Sequence, residues 1–205
     1  MRSSTWFLVI ALLSAGGHGA TVDMNDPRRA VGSEDDIRVD AQLMGDFVSA
    51  HSAIAVTVQI QNFSSRTVGV VDKVCEASYD SDSRLITLSV GSEVPRDGEM
   101  PRLVAIRPGE KRTFTVGAVL RVTAIPLRTT RAAVPGFVQI KVNVLRDVAP
   151  FVALMDRQSG TNLAIELNDE QFEQWLNTNQ SILLNVIPVR YRAAQQGRVA
   201  DASHR

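Results

Sequence analysis

The chain has 205 residues, 44% of them hydrophobic, and its 22 basic and 22 acidic side chains give a net charge near zero. This length is enough for one domain with a substantial core. A neutral chain lacks the strongly basic composition typical of proteins that bind nucleic acids, so we expect no nucleic-acid partner.

The first twenty residues have the layout of a secretory signal peptide. Arg2 precedes an apolar run at 6–13, and small residues follow up to Ala20. The run is shorter than the roughly 20 apolar residues that span a bilayer. We therefore expect an exported protein, periplasmic or secreted, with no transmembrane span; an uncleaved N-terminal anchor is the alternative. The cleavage site stays open, because cleavage after Ala20 places His18 where a small side chain is preferred.

The composition also predicts how the fold is stabilised. Export normally leads to an oxidising compartment, where small domains often contain disulfides. Cys75 is the only cysteine, so the chain cannot form an internal disulfide. We expect packing of the core to stabilise the fold without a covalent cross-link.

Composition divides the chain into four regions. Residues 1–20 are the predicted signal peptide, and residues 21–36, which are charged and lack hydrophobic periodicity, are a predicted flexible leader. Residues 37–192 are a predicted single β-sandwich domain. Residues 193–205 have no apolar face and are a predicted disordered tail.

Alternation of apolar and polar residues predicts the strands. It is clearest at 37–43 and 54–60, and it recurs at 68–71, 86–90, 103–106, 114–120, 138–144 and 182–186. Pro108 and Gly109 form a predicted turn between two of these strands. Pro188 predicts an edge or a bulge after the last one. Seven or eight short strands without crossover helices favour an antiparallel sandwich.

One short helix is predicted at about residues 168–178, before the last strand. Asn168 suits the N-cap and Gln171 the third helical position, as in a capping box. Phe172, Trp175 and Leu176 fall on one face of this helix. We expect it to lie across an open end of the sheets and to bury Trp175 there.

The strand rhythm and the turn–strand unit "RPGEKRTFTV" at 107–116 resemble the immunoglobulin-like β-sandwich modules of exported bacterial proteins. The resemblance lies at the level of architecture and covers about residues 36–192. It implies an antiparallel sandwich of about seven or eight strands, although the Cys…Trp…Cys framework of antibody domains is absent. A pilus-type assembly chaperone is an alternative, but its second domain would need about seven strands after Val122, where we predict two.

Few residues could support catalysis. Beyond the signal peptide, the histidines are His51 and His204, and His204 belongs to the predicted tail. A Cys75–His51 pair, with an acid from Asp80 or Asp82, gives a Cys/His-dependent enzyme as the alternative function. Cys75 equally suits a small apolar position at a strand end. Motifs of serine hydrolases, phosphate-binding loops and zinc proteases are absent, so we predict no catalytic role.

Asp80 and Asp82 in "YDSDS" are the candidate metal ligands, because alternating oxygen ligands suit Ca²⁺. The stretch lacks the spacing of an EF-hand loop. Asp and Ser also bond their own backbone in turns. We interpret residues 71–85 as a turn between strands and predict no cofactor; a calcium-stabilised binding module is the alternative.

Two long loops are the predicted partner-binding regions. The loop at 91–102 contains Arg96, and the stretch at 121–135 contains Arg121, Arg128 and Arg131. Binding residues often lie on loops held by a rigid scaffold. We predict a non-catalytic protein-interaction or envelope-associated module that binds another envelope or secreted protein through these loops or through an exposed sheet edge.

Overall fold

The structure, a computed structural model, describes residues 22–49, 52–120, 134–159 and 164–192. Several predicted features lie outside these residues and receive no structural account. They are the signal peptide, the tail at 193–205, His51, His204, Arg121, Arg128 and Arg131.

The described residues form thirteen strands and two α-helices. The strands are β1 (Arg29–Glu34), β2 (Ile37–Leu43), β3 (Phe47–Ser49), β4 (Ala53–Asn62), β5 (Val68–Val70), β6 (Cys75–Asp80), β7 (Leu85–Val90), β8 (Val104–Ile106), β9 (Lys111–Val119), β10 (Phe137–Leu145), β11 (Asn179–Leu183), β12 (Ile187–Pro188) and β13 (Arg190–Arg192). The helices are α1 (Val152–Ser159) and α2 (Asp169–Thr178), and short 3-10 turns lie at Arg96–Gly98 and Ala149–Phe151.

The first sheet is antiparallel, with the strand order β1–β2–β4–β9. Its long central strands follow the predicted alternation, because Val39 of β2 and Val56 of β4 are fully buried while Arg38 and Gln59 are partly exposed. The strands predicted at 37–43 and 54–60 are therefore confirmed.

The second sheet has the order β6–β7–β10–β5–β8, with β11 and β12 also paired to β10. Most of its pairs are antiparallel, as predicted. The central pair of β7 and β10 is parallel, with Leu85 opposite Phe137 and Val90 opposite Val142. A separate parallel pair joins β3 to β13. The prediction of a wholly antiparallel arrangement is wrong for these two pairs.

The two sheets share one hydrophobic core. Inward side chains of β2 and β4 belong to the same buried cluster as those of β7 and β10, including Val58, Ile60, Leu88 and Ile140. Because each of these side chains is fully buried, their transfer from water contributes about 1.5–3 kcal/mol per side chain to folding.

A second hydrophobic cluster covers part of the outer face of the second sheet. Val144 of β10 faces the main core, so the next residue, Leu145, points to the opposite face and packs in this second cluster. There Trp175 of α2 and Phe151 meet edge to face, with ring centroids 5.6 Å apart. The two helices therefore lie on an outer sheet face.

The predicted helix is confirmed as α2, with both hydrogen bonds of the capping box between Asn168 and Gln171. Trp175 is fully buried, as expected. Leu176, on the same predicted face of the helix, is 45% exposed. The expected position across an open end of the sheets is corrected, because Trp175 packs in the outer cluster with Leu145.

Three further expectations are corrected. The predicted flexible leader contains strand β1, which gains its order by pairing with β2 rather than from its own apolar pattern. The predicted turn at 71–85 contains strand β6, paired with β7. Helix α1 was not predicted, since only Leu154 on it is buried and its apolar pattern is weak. No helix among the described residues is long and apolar enough to cross a membrane.

Candidate functional site: a groove beside the 91–102 loop

A groove of about 620 Å³ lies on the part of the second sheet that the helices leave uncovered. Its floor is the outer face of β6, β7 and β10. Its wall is the chain that leaves β7 at Gly91 and continues to Pro101. We call it the sheet groove and define it by its floor residues and by its wall, residues 91–101. The floor residues are Glu76, Ser78, Thr87, Ser89 and Lys141.

The floor follows from the period of two in the strands. Leu88 and Ile140 point into the core, so their neighbours Thr87, Ser89 and Lys141 point outward. The pairing then sets them in rows: Ser78 lies opposite Thr87, and Ser89 lies opposite Lys141. The floor therefore presents hydroxyl groups flanked by charged side chains.

A buried amide orients one of these hydroxyls. Asn143, which is 2% exposed, donates from Nδ2 to Ser89 Oγ at 3.0 Å and accepts at Oδ1 from Ser181 Oγ at 2.6 Å. Because Ser89 Oγ accepts this hydrogen bond, its own O–H can donate toward the groove. The network gives the floor a fixed polar group.

The wall of the sheet groove is anchored from behind. Trp175 Nε1 donates to Glu93 O at 3.2 Å, and Asn179 Nδ2 donates to Ser92 O at 2.9 Å. At the far end, Gln158 Nε2 donates to Met100 O at 2.7 Å. These bonds come from α1, α2 and the start of β11. The wall is thus a preorganised surface rather than a free loop.

The N–H of Met100 donates to Ile165 O at 2.8 Å, and Leu167 N–H donates to Gly98 O at 2.8 Å. These two backbone bonds frame a bridge in which Glu99 lies opposite Glu166. The segment before α2 is therefore held against the wall by one isolated antiparallel bridge.

Two ion pairs connect the wall to the floor. Arg96 pairs with Glu76, and Lys141 Nζ lies 2.5 Å from Glu93 Oε2. Arg96 and both glutamates are more than half exposed. Exposed pairs of this kind contribute about 0–1 kcal/mol each, so they give way readily to charges on a partner.

Of the predicted partner-binding arginines, Arg96 lines the sheet groove. Arg121, Arg128 and Arg131 lie outside the described residues. Sequence reasoning missed the floor, although the outward positions in the alternating strands at 86–90 and 138–144 already contained Thr87, Ser89 and Lys141. What it lacked was the pairing that makes β7 and β10 neighbours.

Cys75 begins β6, opposite Val90, and packs against the main core. Burial, with a smaller contribution from the charge of Glu76, raises the pKa of its thiol to about 11. The thiol is therefore protonated near neutral pH, which weakens it as a nucleophile. His51, its proposed base, lies outside the described residues.

Asp80 and Asp82 lie at the tip of the β6–β7 hairpin. Asp80 accepts hydrogen bonds from Ser83 Oγ at 2.5 Å and from Asp82 N–H at 3.0 Å, one on each carboxylate oxygen. The bond from Ser83 is the main reason that the pKa of Asp80 is lowered. This is the geometry of a self-bonded turn. The described residues contain no group of three or more His, Cys, Asp or Glu side chains that could hold a metal ion.

A second cavity of about 460 Å³ lies near the C-terminal end of α2. Its arginines are already engaged, since Arg146 pairs with Asp35 at 2.8 Å and Arg66 with Asp147 at 3.5 Å. These contacts join neighbouring loops. The cations of the sheet groove are paired in the same way, so the pairs do not decide between the two cavities. We take the sheet groove as the candidate site because it is larger and its wall is held by hydrogen bonds from α1, α2 and β11.

Comparison with protein-family models, with curated proteins and with solved structures finds no match to this chain.

Proposed function

We propose that this protein is an exported, non-catalytic module that binds another envelope or secreted protein through the sheet groove. The observation that carries the proposal is a concave surface, lined by hydroxyl, charged and apolar side chains, whose wall is held in place from behind by Trp175, Asn179 and Gln158. A preorganised surface loses little conformational entropy when a partner binds.

The chemistry of the groove favours a polypeptide as the ligand. None of the described residues that line it is aromatic, so it offers no stacking platform for a nucleotide base. Hydroxyls and charged groups such as Ser78 and Arg96 suit the peptide groups and side chains of a protein partner.

The immunoglobulin-like class and the export of the chain belong to this proposal. Two packed, mainly antiparallel sheets are compatible with an immunoglobulin-like sandwich. The sequence pattern at residues 1–20 supports export. Mass spectrometry of the protein purified from an exporting cell tests the second point: we expect the N-terminal twenty or so residues to be missing, and an intact N-terminus would contradict it.

Photo-crosslinking tests the binding surface. A photoreactive phenylalanine analogue replaces Ser78 on the floor or Val94 on the wall, both of them exposed. In living cells we expect both positions to give the same adduct of one defined mass, because they face the same partner. Peptide mass spectrometry then identifies the protein captured.

The control places the same analogue at Lys111, which is exposed at the start of β9 in the first sheet. We expect no adduct of that mass from this position. Adducts that are equally abundant at Lys111, or no adduct from either groove position, would contradict the groove as the binding surface.

A further inference from the structure

One strand of the first sheet has a long edge that no described strand covers. Strand β9 is the last in the order β1–β2–β4–β9. Its nine residues pair with β4 in an uninterrupted antiparallel register, from Lys111 opposite Gln61 to Val119 opposite Ala53. A free strand edge presents backbone N–H and C=O groups that can pair with another chain.

The pairing with β4 tells which residues of β9 direct their backbone groups to the free edge. Just before β9, Glu110 O accepts from Asn62 N–H of β4 at 3.1 Å, so Glu110 faces β4. Backbone groups alternate between the two sides of an antiparallel strand, so the odd-numbered residues of β9 face the free edge. These residues are Lys111, Thr113, Thr115, Gly117 and Val119. Among the described residues, no backbone hydrogen bond reaches them from that side.

The edge of β9 is exposed and lacks the usual protection of an edge strand. Natural edges are shortened, bulged, charged or covered. Gly117 is exposed, and because it has no side chain, its exposed surface belongs to the backbone. The strand contains no proline and no bulge, and its charged residues, Lys111 and Arg112, lie at one end. The rest of the edge is therefore open to pairing.

The other sheet edges that the structure describes are closed, short or charged. At the edge of β1, Asn185 Oδ1 accepts from Val31 N–H at 2.6 Å, and Asn185 N–H donates to Val31 O at 3.2 Å. Strand β8 has three residues, and β6 has six, among them Glu76 and Asp80. Strand β9 is thus the longest open edge among the described strands.

The sequence of β9 is complementary to itself in an antiparallel pair. In the register that uses all nine residues of both strands, Thr115 lies opposite the same residue of the second copy, and Phe114 lies opposite Val116. Pairs of threonines, and pairs of an aromatic with a β-branched residue, stabilise neighbouring strands. Lys111 lies opposite Val119, so the cationic ends of the two strands are about 27 Å apart and do not repel each other closely.

We propose that two copies of this chain associate by antiparallel pairing of their β9 strands about a two-fold axis at Thr115, which joins the two first sheets into one. The same surface serves both copies, as a two-fold interface requires. This inference goes beyond the proposed function and does not depend on it, because β9 contributes no residue to the lining of the sheet groove. A crosslink from Lys111 to a second copy has the mass of two chains, so it is distinct from a groove adduct.

Cysteine trapping in a Cys75→Ala background tests the register. We expect Thr115→Cys to form a disulfide-linked dimer under mild oxidation, because hydrogen-bonded partners in an antiparallel pair lie about 5.5 Å apart at Cα, within the reach of a disulfide. Val119→Cys is the control, since it is exposed on the same edge but lies about 27 Å from its own copy. A dimer at both positions, at neither, or at Val119 alone would overturn the inference.

Sedimentation between about 1 µM and about 1 mM measures the association without a covalent link and should show a monomer–dimer equilibrium. Thr115→Lys should raise the dissociation constant at least about tenfold, because two lysines then lie opposite each other. Thr115→Val also loses the hydrogen bond to Thr57 Oγ1 but adds no charge, and it should keep the dimer. An original protein that stays monomeric over the whole range, or two variants that weaken the dimer equally, would overturn the inference.

Discussion

Gly91 and Gly109 have almost the same backbone conformation but different surroundings. Their φ angles are +82° and +75°, in the left-handed region that favours glycine. A Cβ atom at Gly91, where the chain leaves β7 to form the wall, would lie 2.7 Å from Asn143 O. Nothing lies within 4 Å of the corresponding position at Gly109. Substitutions at the two glycines therefore separate the free-energy cost of the left-handed conformation from the cost of the close contact.

We expect Gly109→Ala to lower the free energy of unfolding by about 1–2 kcal/mol, the cost of a left-handed conformation. Gly91→Ala should lower it by about 1–3 kcal/mol more, because the backbone of β10 must also move. Urea denaturation of the two variants measures the difference. Equal losses would show that the close approach to Asn143 has no energetic weight.

Asn62 shows how one buried amide organises a turn. Its Nδ2 donates to Arg66 O at 2.7 Å and to Ile106 O at 2.9 Å, and its Oδ1 accepts from Ser64 N–H at 2.9 Å. The residue is completely buried. The amide therefore closes the turn that follows β4 and also ties this turn to β8.

We expect Asn62→Ala to lower the free energy of unfolding by about 2–4 kcal/mol, because it removes the bond to Arg66 O and leaves the buried carbonyl of Ile106 without this partner. Ser65→Ala, at an exposed position in the same turn, is the control and should change it by less than about 0.5 kcal/mol. Thermal or urea unfolding reports both. A loss below about 1 kcal/mol for Asn62→Ala would contradict the assigned role.

Among the elements, α2 connects the outer hydrophobic cluster to the sheet groove. The indole ring of Trp175 on this helix is buried against Phe151, and its N–H donates to Glu93 O in the wall. The sequence predicted the start of this helix because a capping box is a local signal. The sequence did not predict the contact between Trp175 and Glu93, because the two residues are far apart in the chain and no local pattern indicates that they are in contact.

We expect Trp175→Phe to separate the two roles of the tryptophan. Phenylalanine keeps most of the apolar contact with Phe151 but cannot donate to Glu93 O. The amides of the wall at 92–96 should then exchange with deuterium faster, while amides in β2 and β4 keep their rates. Hydrogen-exchange mass spectrometry measures this. Uniformly faster exchange in all these segments would mean that only global stability has changed.

Trp175→Ala and Leu176→Ala are the matched pair for the packing role. Trp175→Ala should lower the free energy of unfolding by about 3–5 kcal/mol, because the tryptophan side chain is fully buried in the second hydrophobic cluster. The second should change stability by less than about 0.5 kcal/mol, because Leu176 is 45% exposed. Comparable losses of stability in the two variants would mean that Leu176 packs against the core as Trp175 does, in contradiction to its exposure.

The strands divide into those that the sequence predicted and those that depend on partners. Strands β2, β4 and β10 alternate strongly, because one face of each meets the shared core. Strands β3, β12 and β13 have two or three residues and lie outside the predicted strands, whereas the equally short β5 and β8 lie within the predicted segments 68–71 and 103–106. Every residue of β6 is at least partly exposed. Its polar residues therefore predicted a turn instead of a strand.

At the scale of the whole molecule, the sheet groove exists because distant elements meet. Its floor needs the parallel pairing of β7 with β10, and its wall needs the hydrogen bonds from α1 and α2. Alternation tells which side chains of one strand share a face, but it does not tell which strands are neighbours. The sequence therefore predicted Arg96 on a binding loop without the surface that this loop faces.

Buried ionisable groups limit the stability of the whole molecule at both ends of the pH scale. Burial opposes ionisation of Asp40, but hydrogen bonds from Arg38 and Arg29 outweigh it and lower the pKa of the carboxyl group. A lowered folded-state pKa stabilises the fold above the unfolded value, near 3.9, and this contribution is lost as the pH falls. Acid should therefore destabilise the first sheet through Asp40.

Cys75 limits the stability of the fold at alkaline pH, because its pKa is raised where that of Asp40 is lowered. Its pKa is raised from an ordinary value of 9.0 to about 11, mainly by burial, so the folded state holds the thiol proton more tightly than the unfolded state. The resulting stability is complete below pH 9 and is lost as the pH rises toward 11. Burial also raises the pKa of Tyr79 on the same strand, which adds a loss at higher pH.

We expect Cys75→Ala to flatten the fall in melting temperature between pH 9 and pH 11, because alanine fills a similar space without titrating. Thermal unfolding of both proteins across this range measures the difference, and the pH dependence of thiol alkylation should show the Cys75 transition near pH 11 in the folded protein. Tyr79→Phe is the second variant and should remove only the part of the fall above pH 10. Parallel curves for the original protein and Cys75→Ala, or a thiol that titrates below pH 9, would place Cys75 in water rather than against the core.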